Sequence, residues 1–172
     1  MKNTMSNYPS EGVLHHTSET TINETPPNNS GVVVNKCYRD ELYDSETWEP
    51  VTLKDGYWEI YFRNGNLHSK GNINNGVEVG EWNLYYQDGT LKIKGTFING
   101  KEDGEWNLYY QDGSSHLKGT YNNGIREGEW VVYNNNGDIS RKTTYVDDNV
   151  SRETEFTTDG RKLTTKTIFY FQ

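Results

Sequence analysis

Apolar and polar residues alternate along much of the chain, in a pattern that repeats every 24 residues from Trp58 onward. Within one repeat, from Trp82 to Phe97, two short alternating runs lie on either side of Asp88-Gly89. Alternation with a period of two is typical of half-buried β-strands, and an Asp-Gly or Asn-Gly pair between two such runs indicates a β-hairpin. The chain is therefore predicted to form a series of hairpins.

A tryptophan opens each repeat, and a glycine follows it seven residues later. The sequence GEWNLYYQDG occurs twice, at 80–89 and at 104–113. A fixed period in this range indicates stacked units, each of which buries its apolar face only against its neighbours. The tryptophans are Trp58, Trp82, Trp106 and Trp130, and the glycines are Gly65, Gly89, Gly113 and Gly137.

The turn residues predict a register for each hairpin. A two-residue turn needs positive φ at both central residues, which Asp-Gly and Asn-Gly pairs provide readily. In this register Trp106 pairs with Gly119, and we expect the indole to be buried against that bare backbone. Trp130 would pair with Thr143 and so depart from the rule.

The same register sorts the side chains onto two faces, because successive strand residues point in opposite directions. The packed face is predicted to hold Trp82, Leu84, Tyr86, Leu91, Ile93 and Phe97. The opposite face is predicted to hold Asn83, Tyr85, Lys92, Lys94 and Thr96. Between hairpins, the Asn-Gly pairs at 75–76, 99–100 and 123–124 are expected to begin wider turns that end at Gly80, Gly104 and Gly128.

The composition of the chain divides it into four predicted segments. Residues 1–30 are polar and form a flexible tail, and residues 31–55 form an N-terminal capping segment. Residues 56–151 hold four repeats, and residues 152–172 form a degenerate closing hairpin. The pattern leaves open whether residues 38–55 form a helix, near 41–47, or strands.

The closing hairpin departs from the repeat at its first position. Thr154 stands where the earlier repeats have tryptophan, yet Asp159-Gly160 still offers a turn. A two-residue turn at that pair would place Phe156 opposite Leu163. We interpret this hairpin as the unit that ends the stack, because terminal repeats need a different outer face.

The amino-acid composition indicates a thin core. Apolar residues make up 31% of the chain and aromatic residues 13%. The apolar share is below that of typical globular proteins, so the core must consist largely of aromatic rings. This favours an all-β fold, an elongated single antiparallel sheet of stacked β-hairpins, over a layered fold.

The charge and the cysteine content limit the classes of partner and the cellular compartment that fit this chain. The net charge of −8 argues against nucleic acid or an anionic membrane as partner. Cys37 is the single cysteine, so no internal disulfide can form, which is compatible with a reducing cytoplasm. No signal peptide follows Lys2 and no run reaches membrane-spanning length, so we expect a cytoplasmic protein.

The repeat GEWNLYYQDGTLKIKGTFINGKEDG resembles the bacterial variant of MORN repeats, over Gly56 to about Asp148. The resemblance implies an antiparallel sheet of stacked hairpins without a fixed catalytic motif. Bacterial members of this variant resemble antitoxin or immunity proteins, whereas other MORN proteins act as scaffolds or membrane-associated adaptors. The Trp-x-x-Tyr-Tyr-x-Asp-Gly stretch also resembles choline- or glucan-binding repeats, which would imply a glycan or cell-wall ligand.

The sequence contains no motif for catalysis, a cofactor or a metal. His68 and His116 are interpreted as exposed strand histidines. A tyrosine recurs three residues after each tryptophan, and a lysine recurs twelve residues after it. Both rows are predicted to lie on the face opposite the indoles. We predict that these rows bind a protein, because tyrosine offers a large rigid contact surface with a polar tip. The predicted site residues are Tyr61, Tyr85, Tyr109, Tyr133, Lys94 and Lys118, within rows that also hold Lys70 and Lys142.

An alternative interpretation of this face is a solvated surface on which lysine stems lie across tyrosine rings. The predicted function is a non-catalytic interaction protein, an antitoxin or immunity protein that occludes a toxin. The acidic charge favours a basic toxin, such as a nuclease, as partner. The sequence does not determine the oligomeric state.

Overall fold

The computed structural model describes residues 34–42, 53–157 and 160–167. These residues form one eleven-stranded sheet whose strand order follows the chain, together with a short 3-10 turn at Arg39–Leu42. The strands are β1 (Val34–Tyr38), β2 (Gly56–Tyr61), β3 (Leu67–Asn74), β4 (Val77–Tyr85), β5 (Leu91–Ile98), β6 (Lys101–Tyr109), β7 (Ser115–Asn122), β8 (Ile125–Tyr133), β9 (Ile139–Val146), β10 (Asn149–Phe156) and β11 (Lys162–Thr167).

The predicted single antiparallel sheet of stacked hairpins is confirmed, with one parallel pair at its start, where β1 runs alongside β2. Residues 1–30, for which we predicted a flexible tail, lie outside the described residues. Most of the candidate helix near 41–47 lies outside them as well. The closing segment is described as far as Thr167, without residues 158–159.

The Asn-Gly pairs between hairpins form tight turns, so the wider turns predicted there are wrong. Asn99 and Gly100 have φ of 51° and 74°, and Ile98 pairs directly with Lys101. Positive φ at both central residues and two residues between the strands define the primed hairpin turn. Equivalent turns lie at Asn75-Gly76, Asn123-Gly124 and Asp147-Asp148.

The Asp-Gly pairs within hairpins form longer loops than predicted. Tyr86 N–H donates to the Thr90 carbonyl at 2.8 Å, and Gly89 N–H donates to the Tyr86 carbonyl at 2.9 Å. Gly89 has φ of 91°, whereas Asp88 does not have positive φ. Instead, the Asp88 carboxylate accepts a hydrogen bond from Thr90 N–H at 2.9 Å, which stabilises a three-residue loop.

The extra loop residue changes the faces of two side chains. Leu91 pairs with Tyr85 rather than with Tyr86, as predicted, and directly paired residues share a face. Leu91 therefore lies on the face of Tyr85, not on the face of the indoles. Lys92 was predicted to lie opposite the indoles, but its Nζ lies 5.8 Å from the ring centroid of Tyr86.

The closing hairpin contains the same kind of loop. Thr157 N–H donates to the Arg161 carbonyl at 2.7 Å, and Gly160 has φ of 80°. Phe156 consequently pairs with Lys162, and its predicted pairing with Leu163 is wrong. One additional residue in the loop accounts for the difference.

Each indole of the second to fourth repeats lies over a glycine of the preceding hairpin. Trp106 is buried and pairs with Gly119, as predicted. The glycine beneath its indole is nevertheless Gly95, where an added Cβ would lie 2.3 Å from the indole Cδ2. Trp130 occupies the same position over Gly119, and Trp82 over Gly71. The expectation that Trp106 packs on Gly119 is therefore wrong.

A bulge brings Trp106 over the preceding strand. Three residues, 104–106, lie opposite Gly95 between the pairs Asp103–Thr96 and Asn107–Lys94. Gly104 has φ of 70°, a conformation that glycine adopts without steric cost. The bulge lies in the pairing of β5 with β6, which belong to successive hairpins. The register within one hairpin therefore does not predict it.

This packing also explains why the fourth repeat has Thr143 in place of glycine. Trp130 lies on Gly119 and is no exception to the rule. The fifth unit has Thr154 at the tryptophan position, so no indole needs the backbone of Thr143 to be bare. Each glycine is required by the tryptophan of the next hairpin.

Three of the indoles belong to a row of rings that crosses six strands, β4 to β9. An aromatic residue 15 positions after each of the last three tryptophans lies between consecutive indoles or beside the last one. All the contacts are edge-to-face, a favourable geometry for aromatic pairs. The centroid distances are 6.5 Å for Trp82–Phe97, 5.1 Å for Phe97–Trp106, 5.7 Å for Trp106–Tyr121, 4.9 Å for Tyr121–Trp130 and 6.1 Å for Trp130–Tyr145.

The best-buried cluster lies at the N-terminal end of the sheet. Trp58 is fully buried, and its Nε1–H donates to the Lys54 carbonyl at 2.8 Å. Leu53 and Cys37 are buried in the same cluster, and Leu42 packs against it. The segment before β2 therefore covers the apolar face of the first repeat.

The tryptophan–glycine packing predicts a specific energetic coupling. Gly95→Ala should destabilise the protein by about 1–3 kcal/mol, because the new methyl group meets the Trp106 indole. In a Trp106→Ala background, itself destabilised by about 3–5 kcal/mol, the same change should cost almost nothing. Free energies of unfolding from urea titrations of the four proteins measure this coupling.

Gly119→Ala is the matched control for that cycle. Its added methyl group meets Trp130, so it should keep its full cost in the Trp106→Ala background. The assignment would be wrong if Gly119, rather than Gly95, lost its cost when the Trp106 indole is removed.

Candidate functional site

The Tyr/Lys face is the sheet surface opposite the indoles, and its first feature is a stripe of half-buried side chains. In each hairpin a tyrosine of the first strand pairs with a residue of the second strand. Tyrosines on every second strand stand about 10 Å apart, from the usual strand spacing. The pairs are Tyr61–Leu67, Tyr85–Leu91, Tyr109–Ser115 and Tyr133–Ile139.

A row of lysines runs beside the tyrosine stripe. Lys94 Nζ lies 2.8 Å from a Glu81 carboxylate oxygen, and this pairing raises the pKa of the lysine. Lys70 Nζ lies 5.8 Å from the ring centroid of Tyr85, as the alternative interpretation of a solvated face expects. Lys118 is exposed and has no ion pair or ring contact with any residue that the structure describes.

The four tyrosines of the stripe differ in how their hydroxyl groups are engaged. Tyr61 Oη donates to a Glu59 carboxylate oxygen at 2.5 Å, and burial together with this bond raises the pKa of Tyr61 to about 12. The Tyr109 and Tyr133 hydroxyls make no hydrogen bond within the described part of the chain. These two tyrosines therefore present an available polar tip, and the binding role of the six predicted site residues stays a prediction.

A second set of tyrosines, one residue further along, holds neighbouring hairpins together. Tyr86 Oη donates to the Tyr109 carbonyl at 2.8 Å, and Tyr110 Oη donates to the Tyr133 carbonyl at 2.7 Å. The sequence predicts Tyr86 on the packed face, but it does not predict this hydrogen bond. The Tyr-Tyr doublet in both repeats was the available signal: one ring joins the stripe and the other connects two hairpins.

The two histidines are half-buried, so the interpretation of exposed strand histidines is wrong. His68 packs edge-on against Phe62 with ring centroids 4.8 Å apart, and His116 lies 4.3 Å from Tyr110. Burial lowers the pKa of His116. Ser69 Oγ lies 3.1 Å from His68 Nδ1, but the serine is buried, where a substrate would not reach it.

Glu78 is a buried carboxylate at the margin of the indole face. Its side chain is buried, and the burial raises its pKa, with a smaller contribution from the charge of Glu102. Its backbone carbonyl accepts a hydrogen bond from Gly100 N–H at 2.9 Å, so the residue stands where two hairpins meet. In the described part of the chain no group of three or more acidic, histidine or cysteine side chains could hold a metal ion.

Removing a tyrosine hydroxyl should affect stability differently in the two tyrosine sets. Tyr86→Phe should lower the free energy of unfolding by about 0.5–1.5 kcal/mol, because the Tyr109 carbonyl loses a hydrogen bond. Tyr109→Phe is the matched control and should change it by less than about 0.5 kcal/mol. Equal losses in the two variants, measured by urea unfolding, would contradict the division of roles.

Replacing the buried carboxylate should change the pH dependence of stability. The pKa of the Glu78 carboxyl is raised above its ordinary value of 4.5 in the folded state. The folded protein therefore loses stability as the pH rises from 4.5 to the raised pKa, because the carboxyl then ionises more readily in the unfolded chain. Glu78→Gln should therefore be more stable than the parent at neutral pH, and this difference should shrink as the pH falls through the raised folded-state pKa towards 4.5. Thermal unfolding from acid to neutral pH tests this, and a Gln variant that is less stable at neutral pH would contradict it.

Comparison with known proteins bears on the repeat. No curated protein matches the chain, and the described residues contain no helix long and apolar enough to cross a membrane. The residues 54–75, 78–99 and 126–147 match the family described as the MORN repeat variant. The predicted resemblance to MORN repeats is confirmed over these three segments, which coincide with hairpins of the sheet.

Proposed function

We propose that this chain is a non-catalytic protein-binding module whose partner docks on the Tyr/Lys face. The observation that carries the proposal is the continuous tyrosine stripe with its available polar groups. Tyr109 and Tyr133 have no hydroxyl partner among the described residues, and Lys118 has no ion pair there. Interfaces are enriched in tyrosine, which fills contact area at a low entropic cost.

The different roles of the two sheet faces support the choice of the Tyr/Lys face as the docking surface. The indole face holds the row of rings, and its contacts stabilise the stack. The Tyr85–Leu91 stripe and the lysine row are not needed to cover any indole or glycine. Repeat arrays commonly use such an extended face for binding.

We propose further that the partner is a toxin, which the chain neutralises by covering its active surface. The support is the charge of −8, which would accelerate association with a basic protein, together with the resemblance of the repeat to bacterial antitoxin or immunity proteins. In this mechanism the chain binds its partner stoichiometrically and has no turnover of its own.

The docking face is tested by a double substitution. The immobilised protein is used to capture its partner from a lysate of the native host, and the captured protein is then titrated. Tyr85→Ala combined with Tyr109→Ala should weaken binding at least tenfold, because interface tyrosines often dominate affinity. The free energy of unfolding of the double variant shows whether the fold is retained.

Thr164→Ala combined with Thr167→Ala, on the exposed strand β11, is the matched control and should bind like the parent. If the tyrosine variant also binds like the parent, the stripe is not the docking face. The toxin assignment has a separate test: the captured partner, expressed alone, should arrest growth, and co-expression of the parent should restore it. A captured partner that is harmless alone would refute the toxin assignment and leave the docking face standing.

A further inference from the structure

A small groove lies at the junction between the N-terminal 3-10 turn and the first two hairpins. Its walls include Arg39, Phe62, His68, Leu84, Tyr86 and Lys92. The groove has a volume of about 220 Å³, below the ≈ 300–1,000 Å³ typical of small-molecule pockets. A space of this size fits one or two amino-acid side chains rather than a complete small ligand.

The groove combines basic groups with apolar walls. Arg39, His68 and Lys92 all line it, and none of the other described residues that line it bears a carboxylate, although the chain as a whole carries a net charge of −8. Asp88, the acidic residue that follows Gln87, accepts hydrogen bonds from Thr90 N–H and from Gln111 Nε2. The charge of the groove therefore complements an anionic group.

The aromatic rings position two of these basic groups. Lys92 Nζ lies over the Tyr86 ring, 5.8 Å from its centroid, and His68 packs edge-on against Phe62. Phe62 and Leu84 supply apolar surface beside the charges. A carboxylate on a short alkyl chain fits this lining. Its methylene groups would contact the apolar walls, and its charge would pair with the basic groups.

One substitution within the repeat sets this junction apart from the next two. At the later junctions Tyr86 and Tyr110 donate their hydroxyls to the carbonyls of Tyr109 and Tyr133. Phe62 stands at the same repeat position but has no hydroxyl to offer to Tyr85, which lines the groove. Arg39 comes from the non-repeated segment, so the repeat itself supplies no equivalent of it at the later junctions.

We propose that this groove accepts an acidic side chain, glutamate or aspartate, from a peptide segment of a protein partner. The carboxylate faces Lys92 and Arg39, and the neighbouring apolar residue of the peptide contacts Phe62 and Leu84. Leu84 has the strand parity of Trp82, so its part of the wall lies on the indole side of the sheet, although Tyr85 also borders the groove. The inference goes beyond the proposed function and does not depend on it.

A pair of matched peptides tests the inference. The first is a fluorescein-labelled peptide of alternating leucine and glutamate, acetylated and amidated at its ends, and the second has glutamine in place of glutamate. Fluorescence anisotropy with the full chain should show saturable binding of the glutamate peptide and at least fivefold weaker binding of the glutamine peptide. Lys92→Gln and Arg39→Gln should each weaken binding of the glutamate peptide about fivefold, because each removes a charge-assisted contact.

Two further variants complete the design. Phe62→Tyr restores the hydroxyl that the later repeats have, so it should narrow the groove and weaken peptide binding without lowering Tm. Lys118→Gln, on the Tyr/Lys face, should leave peptide binding unchanged and serves as the control for charge. Circular dichroism of each variant shows whether the fold is retained.

Four results would overturn the proposal. The first is equal binding of the glutamate and glutamine peptides, and the second is an affinity insensitive to Lys92→Gln and Arg39→Gln in folded variants. The third is no saturable binding up to about 1 mM. Tighter binding of a phosphoserine peptide than of the glutamate peptide would also overturn it, in favour of a phosphate site.

Discussion

The packing of each indole on a bare glycine of the preceding hairpin is the contact on which the rest of the fold depends. A side chain at Gly71, Gly95 or Gly119 would collide with the tryptophan of the next repeat. Because the tryptophan and its glycine come from different hairpins, no hairpin can complete its own core. This is the physical reason for the strict spacing of the tryptophans and for stability that is shared between neighbours.

This contact also gives a sheet with few aliphatic residues a packed face, although the described residues add no second sheet. The rings between the indoles, such as Phe97 and Tyr121, cover the indole edges and keep the tryptophans buried. Two sets of hydrogen bonds join the margins of consecutive hairpins. At the tight turns Gly100 N–H donates to Glu78, and at the longer loops Tyr86 Oη donates to Tyr109.

Among the described residues, contacts between hairpins occupy one face and both margins of the sheet, and we propose that the opposite face binds the partner. The tyrosine stripe and lysine row repeat there because the whole unit repeats, and a partner that spans several hairpins would meet the same groups in sequence. The groove at the first junction is different in kind. It depends on Arg39 and on Phe62, two places where the chain departs from its own repeat. In our two proposals, the repeated face supplies a large contact area, and the groove at the first junction supplies a single contact to an acidic side chain.

The sequence by itself determined the hairpins, their period, the pairing of Trp106 with Gly119 and the shared face of tyrosines and lysines. These features follow from alternation and turn residues, which act over a few neighbouring positions. The tertiary structure alone decided which glycine lies beneath each indole, because that depends on the bulge at Gly104 and on contacts between hairpins. It also decided the types of turn and the faces of Leu91 and Lys92, because the Asp88 carboxylate stabilises a longer loop and one added residue reverses side-chain parity. The groove could not be predicted for the same reason: the position of Arg39 against the second hairpin is set by the path of the N-terminal segment, and no local pattern encodes it.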